Sequence, residues 1–340
     1  MDSLTQITLG AAVGEAVLGR PLGNKAILWG AVFGTLPDLD GVIAPFVDSV
    51  GYIVHHRAIS HSLLAVAVLS PLFARLFYRW YGGAISFGRW LSFFLLVFLT
   101  HIFLDCCTNY GTQIFQPFSD ARIAWNAIFA IDPLYTLPFL SCVIACWFLK
   151  PDSLWRRRIN ATGLILSTGY LLAAFAFQHH AKDVFSRALA DRNIDVRRMM
   201  VSPTPFNTVL WYCAAEDDDG YHVGFYSLFD TDEEFEFQDV PRSEDLLGDL
   251  VSSFGVDRLI WFADGYYAAR KHPDGVVFHV LKFGKLNLLE NGDHYPFSYL
   301  IRRSNPAVVI EPYEAPREES VRDLAAKLWR RICGERRDRA

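Results

Sequence analysis

The sequence predicts an α-helical polytopic membrane domain followed by a smaller α+β domain with an antiparallel sheet. The chain has 340 residues, 52% of them hydrophobic, and its mean hydropathy of +0.18 is high for a soluble protein of this size. Residues 1–180 contain 11 Lys and Arg against 9 Asp and Glu, whereas residues 181–340 contain 21 against 28. The long apolar runs lie in the first, weakly charged part. We therefore predict a membrane domain at residues 1–180 and a water-exposed domain at residues 181–340.

Six apolar segments in the first part predict six helices. A straight membrane-spanning helix needs about 20 residues. The first two segments are shorter than this, so short crossings and a re-entrant hairpin both remain open for them. The first segment is rich in Gly and Ala, which let helices approach each other closely in lipid. The six segments are residues 3–19, 26–36, 61–77, 90–104, 133–149 and 159–181.

The basic residues between these segments predict the orientation of the helices. In multi-pass membrane proteins, Lys and Arg are concentrated in the cytoplasmic loops. Here they fall in alternate turns, which therefore share one side, and we predict that this side is the cytoplasm. The opposite turns and everything after residue 180 are then extracytoplasmic. The basic turns contain Arg20 and Lys25, then Arg75, Arg79 and Arg89, then Lys150 and Arg156 to Arg158.

The second part contains short alternating segments that predict an antiparallel sheet. Residues 207–215 and 221–229 flank an acidic turn that ends in Gly220, and this pattern predicts a β-hairpin. Residues 182–193 have helical periodicity and predict a stalk, and residues 318–331 predict a closing helix. The further predicted strands are residues 258–262, 266–271, 276–283, 297–302 and 307–311.

The charge and the cysteine content argue against two classes of function. A formal net charge of −5 without a basic patch argues against nucleic-acid binding. The six cysteines have no CxxC spacing, which argues against a zinc ribbon or a dithiol redox site. Four of them lie in apolar runs, where a thiol is normally a small buried hydrophobic group. Cys213 and Cys333 could form an extracytoplasmic disulfide, and the sequence leaves this open.

The stretch from Gly34 to Ser62 contains a first cluster of ionisable side chains between two apolar segments. Pro37 ends the preceding helix and predicts an extended chain, in which Asp38 and Asp40 point to the same side. Two carboxylates on one side repel each other unless a cation lies between them. An isolated motif of this kind is more often a plain acidic turn, but the histidines nearby favour a metal site.

Histidines and an arginine complete this first cluster. Neutral imidazole is the commonest metal ligand in proteins, and His56 and His61 flank a turn just before an apolar helix. Arg57 cannot ligate a cation, but its guanidinium can bind a phosphate through two hydrogen bonds. Histidines at a membrane surface can also simply bind lipid headgroups, which is the better interpretation for His179 and His180.

A second cluster lies in the next long apolar segment. His101 and Asp105 are four residues apart, so both lie on one face of a helix. Ionisable groups in such a segment are costly and need partners, and we therefore predict that His101 is a metal ligand. Asp105 is either a carboxylate that orients an imidazole or an uninvolved polar contact between helices. Asp132, which precedes Pro133, is either a helix N-cap or a further ligand.

Several motifs in the first 180 residues occur together and in order. They are Met1-Asp-Ser-Leu-Thr-Gln6, Gly34-x-x-Pro-Asp-Leu-Asp40, His56-Arg-x-x-Ser-His61-Ser and His101-x-x-x-Asp105-x-x-Thr-Asn-Tyr-Gly-Thr112, with Pro117-Phe-Ser119, Arg122 and Ile131-Asp-Pro-Leu-Tyr135 after them. Together these motifs resemble the YdjM-type family of bacterial inner-membrane proteins, which are described as metal-dependent hydrolases. The resemblance is only loose after residue 180. It implies a multi-pass metallohydrolase of the bacterial inner membrane and leaves the substrate open.

The residues and the resemblance together predict a metal-dependent hydrolase. Imidazole and carboxylate ligands without a thiolate suit Zn²⁺ first, or Mn²⁺ or Fe²⁺, as one or two ions. The metal would activate a water that attacks a phosphoester of a lipid or lipid-linked substrate at the extracytoplasmic membrane face. Asp38 or Asp105 would be a further ligand or the general base, and Arg57, with Arg122, would neutralise the phosphate. The predicted metal ligands are Asp40, His56, His61 and His101, and the predicted catalytic residues are Asp38, Arg57 and Asp105.

Two other functions would use the same residues. A transporter or ion pathway would place its ionisable groups near the middle of the membrane, whereas these groups collect at one face. A non-catalytic membrane anchor or scaffold for residues 181–340 would use the metal as a structural clip. Ligand atoms that converge in an open pocket favour catalysis, convergence without access favours the clip, and dispersal along a polar path favours transport. The sequence specifies no oligomeric state.

Overall fold

The chain forms two compact units in the computed structural model, which describes residues 1–231, 236–286, 288, 293–304, 307–316 and 320–335. The first unit contains Met1–Ile43, His55–Ala174 and Pro205–Asn207. The second contains Ala44–Val54, Phe175–Thr204 and Thr208–Ala340.

The long helices of the chain follow the six predicted apolar segments. Among the described residues, four segments are long and apolar enough to cross a membrane: Asn24–Phe46, Leu63–Trp80, Phe87–Cys106 and Leu154–Asp191. This confirms the predicted polytopic helical domain. The helices are α1 (Ser3–Leu22), α2 (Asn24–Thr35), the short α3 (Ser49–His55), α4 (Leu63–Trp80), α5 (Phe87–Cys106), α6 (Pro133–Trp147) and α7 (Leu154–Asp191), with a 3-10 stretch, Leu36–Phe46, after α2.

Side-chain caps begin four of these helices. Asp2, Ser62, Ser86 and Asp132 each accept a hydrogen bond from a backbone N–H group in the first turn of α1, α4, α5 and α6. Such a cap typically stabilises a helix by about 1 kcal/mol. Asp132 also accepts a hydrogen bond of 2.8 Å from the Tyr170 hydroxyl group. Of its two predicted roles, the structure therefore shows the N-cap.

Glycines let α1 and α2 pack backbone against backbone. A Cβ atom at Gly10 would lie 2.2 Å from the Gly30 carbonyl oxygen, and one at Gly34 would lie 2.7 Å from the Gln6 carbonyl oxygen. Both distances are too short for any side chain, so these positions require glycine. This agrees with the role of small residues expected from the sequence of the first segment. The close approach fixes Gln6 and Gly34 beside the end of α5.

The stretch after α2 differs from the prediction. Pro37 does not leave the chain extended, because Leu36–Phe46 continues as a 3-10 helix. In a helical turn, residues two apart point in different directions, unlike residues two apart in a strand. Asp38 and Asp40 therefore have different surroundings and form separate contacts.

The described residues of the second unit form two antiparallel sheets of four strands each, with the orders β1-β2-β3-β4 and β5-β6-β7-β8. This confirms the predicted α+β class, including the hairpin of β2 and β3. Helix α8 precedes the second sheet, and α9 follows it. The elements are β1 (Arg198–Pro203), β2 (Leu210–Glu216), β3 (Gly220–Ser227), β4 (Phe237–Pro241), α8 (Phe254–Phe262), β5 (Tyr267–His272), β6 (Gly275–Val280), β7 (Ser298–Ser304), β8 (Ala307–Pro312) and α9 (Val321–Ile332).

Strand β2 is buried on both faces. Trp211 and Cys213 pack with residues of α7 in one apolar cluster. Tyr212 and Ala214 point to the opposite face and pack with residues of the second sheet. The first sheet of this unit therefore lies between α7 and the second sheet, which explains why β2 has so few polar residues.

Some elements of the second unit differ from the prediction. Residues 258–262, predicted as a strand, belong to α8, because Ser253 caps a helix by accepting a hydrogen bond from the Val256 backbone. Strands β1 and β4 were not predicted. The predicted stalk is the end of α7, and the predicted closing helix is α9, although residues 317–319 lie outside the described residues. Cys213 and Cys333 are free thiols.

Candidate metal centre

Four ionisable side chains from separate segments converge in the first unit. Asp38 comes from the stretch after α2, His61 from the turn before α4, and His101 and Asp105 from the last turns of α5. Each offers one ligand atom, and these four atoms all lie within 4.8 Å of one another. His61, His101 and Asp105 are buried, whereas the side chain of Asp38 is 13% exposed. We call these four residues the metal cluster.

The distances within the metal cluster fit a tetrahedral ion. The Nε2 atoms of His61 and His101 lie 3.1 Å apart. Asp105 Oδ2 lies 3.3 Å and 3.6 Å from these two atoms, and Asp38 Oδ1 lies 3.4 Å and 3.6 Å from them. With metal–ligand bonds of about 2.0–2.1 Å, the corners of a tetrahedron lie about 3.3 Å apart. The residues present therefore fit a small divalent metal ion.

Hydrogen bonds determine which nitrogen of each imidazole faces the centre. The Gly34 carbonyl oxygen lies 2.7 Å from His101 Nδ1 and accepts a hydrogen bond from it. His61 Nδ1 lies 3.2 Å from Asp40 Oδ2 and 2.9 Å from the Ser60 hydroxyl oxygen. With the protons on Nδ1, the lone pair of each Nε2 atom points into the metal cluster. Histidines that bind metals are normally oriented in this way by a partner on the other nitrogen.

Asp105 is held by donors on the side away from the metal cluster. Gln6 Nε2 donates to Asp105 Oδ1 at 3.0 Å and to the His101 carbonyl oxygen at 3.3 Å. The Arg57 guanidinium lies 3.2 Å from the same carboxylate oxygen, and the amino group of Met1 also contacts it. Oδ2 faces the imidazoles and has no hydrogen-bond partner among the described residues. A buried oxygen in this state is costly, and a cation would offset that cost.

The surroundings of Asp38 and His61 also favour a positive charge at the centre of the metal cluster. Asp38 Oδ2 is buried and has no hydrogen-bond partner within the described part of the chain. The ring nitrogens of His61 lie 3.2 Å, 3.4 Å and 3.3 Å from carboxylate oxygens of Asp40, Asp38 and Asp105. The centre of the metal cluster therefore favours a positive charge, which a divalent cation would supply.

Asp40, predicted as a ligand, lies outside the metal cluster and organises the turn before α4. Its Oδ1 atom lies 2.9 Å from His56 Nδ1, and its Oδ2 atom accepts hydrogen bonds from the Arg57 backbone at 2.7 Å and the Ser60 hydroxyl group at 2.9 Å. Arg57 has a φ of +57°, a conformation that costs a non-glycine residue on the order of 1–3 kcal/mol. The contacts of Asp40 offset this strain and hold His61 in place.

His56, also predicted as a ligand, lies beside the metal cluster. Its ring packs edge-on against Tyr110 at a centroid distance of 5.2 Å, and its centroid lies 6.5 Å from that of His61. The hydrogen bond to Asp40 orients its Nδ1 atom. His56 is thus a neighbour of the centre, and the four ligand atoms that converge belong to other residues.

Arg57 and Arg122 lie against the same aromatic ring. Their guanidinium carbons lie 5.1 Å and 4.8 Å from the centroid of Tyr110. Arg57 is buried and donates to the Thr108 hydroxyl oxygen at 3.0 Å, besides its contact with Asp105. Arg122 donates to the backbone carbonyl oxygens of residues 110 and 111. The two guanidiniums give this side of the site a positive charge.

Several groups that position the ligands were not predicted from the sequence. Gln6, Ser60 and Thr108 supply hydrogen bonds to the metal cluster or to its neighbours, and Gly34 supplies a backbone carbonyl oxygen. A signal was present for Gln6, because it is a polar side chain within an apolar helix. No sequence signal identifies a backbone carbonyl group as a partner of His101.

Comparisons with known proteins agree with the membrane helices and the motifs. A family model described as YdjM inner membrane protein matches residues 1–181. The chain is 29% identical over 232 residues to uncharacterized protein YfhP of Bacillus subtilis (strain 168), covering 66% of this chain and 68% of YfhP. It is 31% identical over 163 residues to inner membrane protein YbcI of Escherichia coli (strain K12), covering 42% of this chain and 92% of YbcI. No solved structure matches. Because the family model covers more than half of its length, this chain belongs to the YdjM inner membrane protein family.

Proposed function

We propose that this protein is a membrane-embedded, metal-dependent hydrolase that cleaves a phosphoester of a lipid or lipid-linked substrate. The metal cluster carries this proposal, because its four ligand atoms come from distant positions in the chain and converge in one place. Convergence of this kind argues against an ion pathway, in which polar groups follow one another across the membrane. A site among membrane helices gives a lipid headgroup access without requiring the lipid to leave the bilayer.

The donor set of the metal cluster supports a transition metal. It consists of two imidazoles and two carboxylates, which suit Zn²⁺, Mn²⁺ or Fe²⁺. We favour a single Zn²⁺ ion because the distances between donors fit a tetrahedron. When bound, such an ion lowers the pKa of a coordinated water to about 7 and supplies a hydroxide nucleophile near neutral pH.

Asp38 is the residue that we assign as proton acceptor. It is the most exposed member of the metal cluster, and its Oδ2 atom has no hydrogen-bond partner among the described residues. Asp105 is fully buried, and donors that include Gln6 and Arg57 hold its Oδ1 atom, so it is fixed as a ligand. Asp38 can therefore take a proton at Oδ2 while Asp105 keeps its position.

Arg57 and Arg122 are the groups that we assign to charge neutralisation. A guanidinium matches the geometry of a phosphate, and these two lie on one side of the metal cluster around Tyr110. The Arg57 Nε atom has no hydrogen-bond partner in the described part of the chain. The two guanidiniums favour an anionic substrate, and phosphate is the anion that membrane lipids most often carry.

The alternation of basic turns supports a location at the extracytoplasmic membrane face. Lys25 and Arg79 lie at the ends of α2 and α4 that are remote from Asp38 and His61. If the basic ends are cytoplasmic, the metal cluster and residues 181–340 are extracytoplasmic. We propose this orientation, with residues 1–180 as the membrane domain and residues 181–340 as the external domain.

Product analysis tests the proposed reaction. The full-length protein is incubated in nanodiscs with inner-membrane lipid extract, and products are followed by mass spectrometry. Wild type and His179→Ala protein should release a phosphorylated headgroup or inorganic phosphate, since the His179 side chain is 80% exposed and belongs to the second unit. Asp38→Asn should lower the rate by about 100-fold or more, as expected for the loss of a general base. Equal products from wild type and His101→Ala protein would refute the hydrolase.

A structural metal clip is a second candidate that one observation favours. Four protein donors complete a tetrahedral shell, as in structural zinc sites, whereas catalytic sites keep one position for water. Three of the four residues are also buried. In this case the metal would hold α5 to the segments before and after α3, and the first unit would serve as an anchor for residues 181–340.

The accessibility of the ion separates the two candidates. With Co²⁺ bound in place of the native metal, visible absorption reports the number and type of ligands. Inorganic phosphate should change this spectrum if Asp38 can give up its position to a substrate. A spectrum that stays the same at saturating phosphate would favour the clip over the hydrolase.

A further inference from the structure

A cleft opens between α2 and α4 at the ends of these helices that are remote from the metal cluster. It encloses about 560 Å³ and is lined by Lys25, Leu28, Trp29, Val32, Trp80 and Tyr81. The floor is rigid, because the Trp29 indole N–H donates to the Tyr81 hydroxyl oxygen at 3.0 Å and the Trp29 ring packs edge-on against Phe77. The walls are apolar and open, with Leu28 50% and Val32 54% exposed.

One cation lies among these apolar walls. Lys25 is exposed in the first turn of α2 and forms no ion pair within the described part of the chain. Arg20 lies in the same basic turn without lining the cleft. An apolar cleft with one unpaired ammonium group is complementary to a molecule that has a hydrocarbon chain and an anionic headgroup. An aromatic floor at such a boundary is typical of the membrane interface, where indole and phenol rings are enriched.

We propose that this cleft binds one anionic phospholipid, with its phosphate at Lys25 and an acyl chain along Leu28 and Val32. The cleft and the metal cluster lie at opposite ends of α2. This helix has 12 residues and is therefore about 18 Å long. The bound lipid is therefore not the substrate of the metal cluster. It is a lipid of the opposite membrane face that packs α2 against α4. This inference does not depend on the proposed hydrolase activity.

Native mass spectrometry of the full-length protein in detergent tests the proposal. The protein is titrated with phosphatidylglycerol or with phosphatidylcholine of the same acyl chains. Wild type should bind one phosphatidylglycerol more tightly than phosphatidylcholine. Lys25→Gln should weaken phosphatidylglycerol binding by about fivefold, the effect of one basic residue near an anionic lipid, and leave phosphatidylcholine unchanged. Arg20→Gln is the matched control and should bind like wild type.

A second variant tests the cleft itself. Val32→Trp places a ring into the opening on a lipid-exposed face, so the helix should fold as before, and the tight lipid should be lost. Equal affinity of wild type for the two lipids, or an equal loss in Arg20→Gln and Lys25→Gln, would overturn the proposal. It would also be overturned if Val32→Trp retained the lipid. A dimer in light scattering that Val32→Trp dissociates would assign the cleft to a second copy of the chain instead.

Discussion

The Nδ1 atom of His61 lies 3.2 Å from Asp40 Oδ2, while its Nε2 atom faces the Nε2 atom of His101. This relationship connects two groups of residues with different tasks. Asp40 holds the turn before α4 through the Arg57 backbone and the Ser60 hydroxyl group. Because Asp40 also contacts Nδ1 of His61, the conformation of this turn fixes the direction in which Nε2 points. Asp40 follows Asp38 by only two residues, yet its contacts lie on the side of His61 that faces away from the metal cluster.

The first prediction concerns Asp40. Asp40→Asn should weaken metal binding by about 10- to 100-fold without abolishing it, because partners that orient metal-binding histidines typically have effects of this size. The measurement is a competition between the protein and a chromophoric chelator. Asp183→Asn is a suitable control, since the Asp183 side chain is 54% exposed on α7. A complete loss of metal in Asp40→Asn would instead make Asp40 a direct ligand.

The second prediction concerns a buried ion pair outside the metal cluster. Both oxygens of Glu15 accept hydrogen bonds from Arg156, at 2.7 Å and 2.6 Å, and both side chains are buried. Glu15→Gln should lower the free energy of unfolding by about 3–5 kcal/mol, because Arg156 is left buried without an opposite charge.

Two measurements check this ion pair. Unfolding of the purified protein in mixed micelles gives the stability, and Glu15→Leu with Arg156→Leu should recover most of the loss, since neither charge is then left alone. The metal content should stay at the wild-type level. A loss below about 1 kcal/mol in Glu15→Gln would show that the pair behaves like an exposed one.

The third prediction is a pH dependence in the second unit. Burial lowers the pKa of His279 to about 4, from an ordinary value of 6.5. Between these values the unfolded chain binds a proton that the folded domain does not bind, so stability falls as the pH decreases from 6.5 to 4. The loss should be about 2 kcal/mol between pH 7 and pH 5.

Hydrogen exchange of the β6 amides in the full-length protein measures this effect. His279→Gln has no titrating imidazole and should show a flatter dependence of exchange on pH, after correction for the intrinsic rate. His179→Gln should behave like wild type, because that side chain is exposed. An unchanged pH dependence in His279→Gln would assign the effect to other groups.

The fourth prediction concerns orientation. Reporter fusions after residues 85 and 155 should be active only with a cytoplasmic reporter, and fusions after residue 340 only with an extracytoplasmic one, because the basic turns are expected to face the cytoplasm. Paired alkaline phosphatase and green fluorescent protein fusions make the measurement. Fluorescence after residue 340 would place the second unit in the cytoplasm and contradict the proposed orientation.

The fold was predictable where a local pattern decides it. The long apolar segments specify helices such as α4 and α5, since such runs have few alternatives. Residues 258–262 illustrate the limit, because a short apolar run is compatible with a strand or a buried helix. The cap at Ser253 would have indicated the helix. Strand β4 has only five residues and no clear alternation, so its place in the sheet depends on pairing with β3.

The site was predictable as a set of residues but not as an arrangement. Asp38 and Asp40 were both recognised, yet their expected alignment assumed an extended chain, whereas the structure has a 3-10 helix there. Only tertiary packing shows that Asp38 faces the imidazoles and Asp40 faces the turn. The small residues of α1 predict a close helix contact, but they do not indicate that this contact brings Gln6 beside Asp105.

The metal content of the purified protein shows whether the metal cluster binds an ion. Elemental analysis of wild type and His179→Ala protein should find about one transition-metal ion per chain, because four donors complete one tetrahedral shell. His61→Ala and His101→Ala should each retain less than about a tenth of that amount, since each removes one of only four donors, while circular dichroism confirms that the helices remain. Equal metal in wild type and His101→Ala protein would contradict the metal cluster.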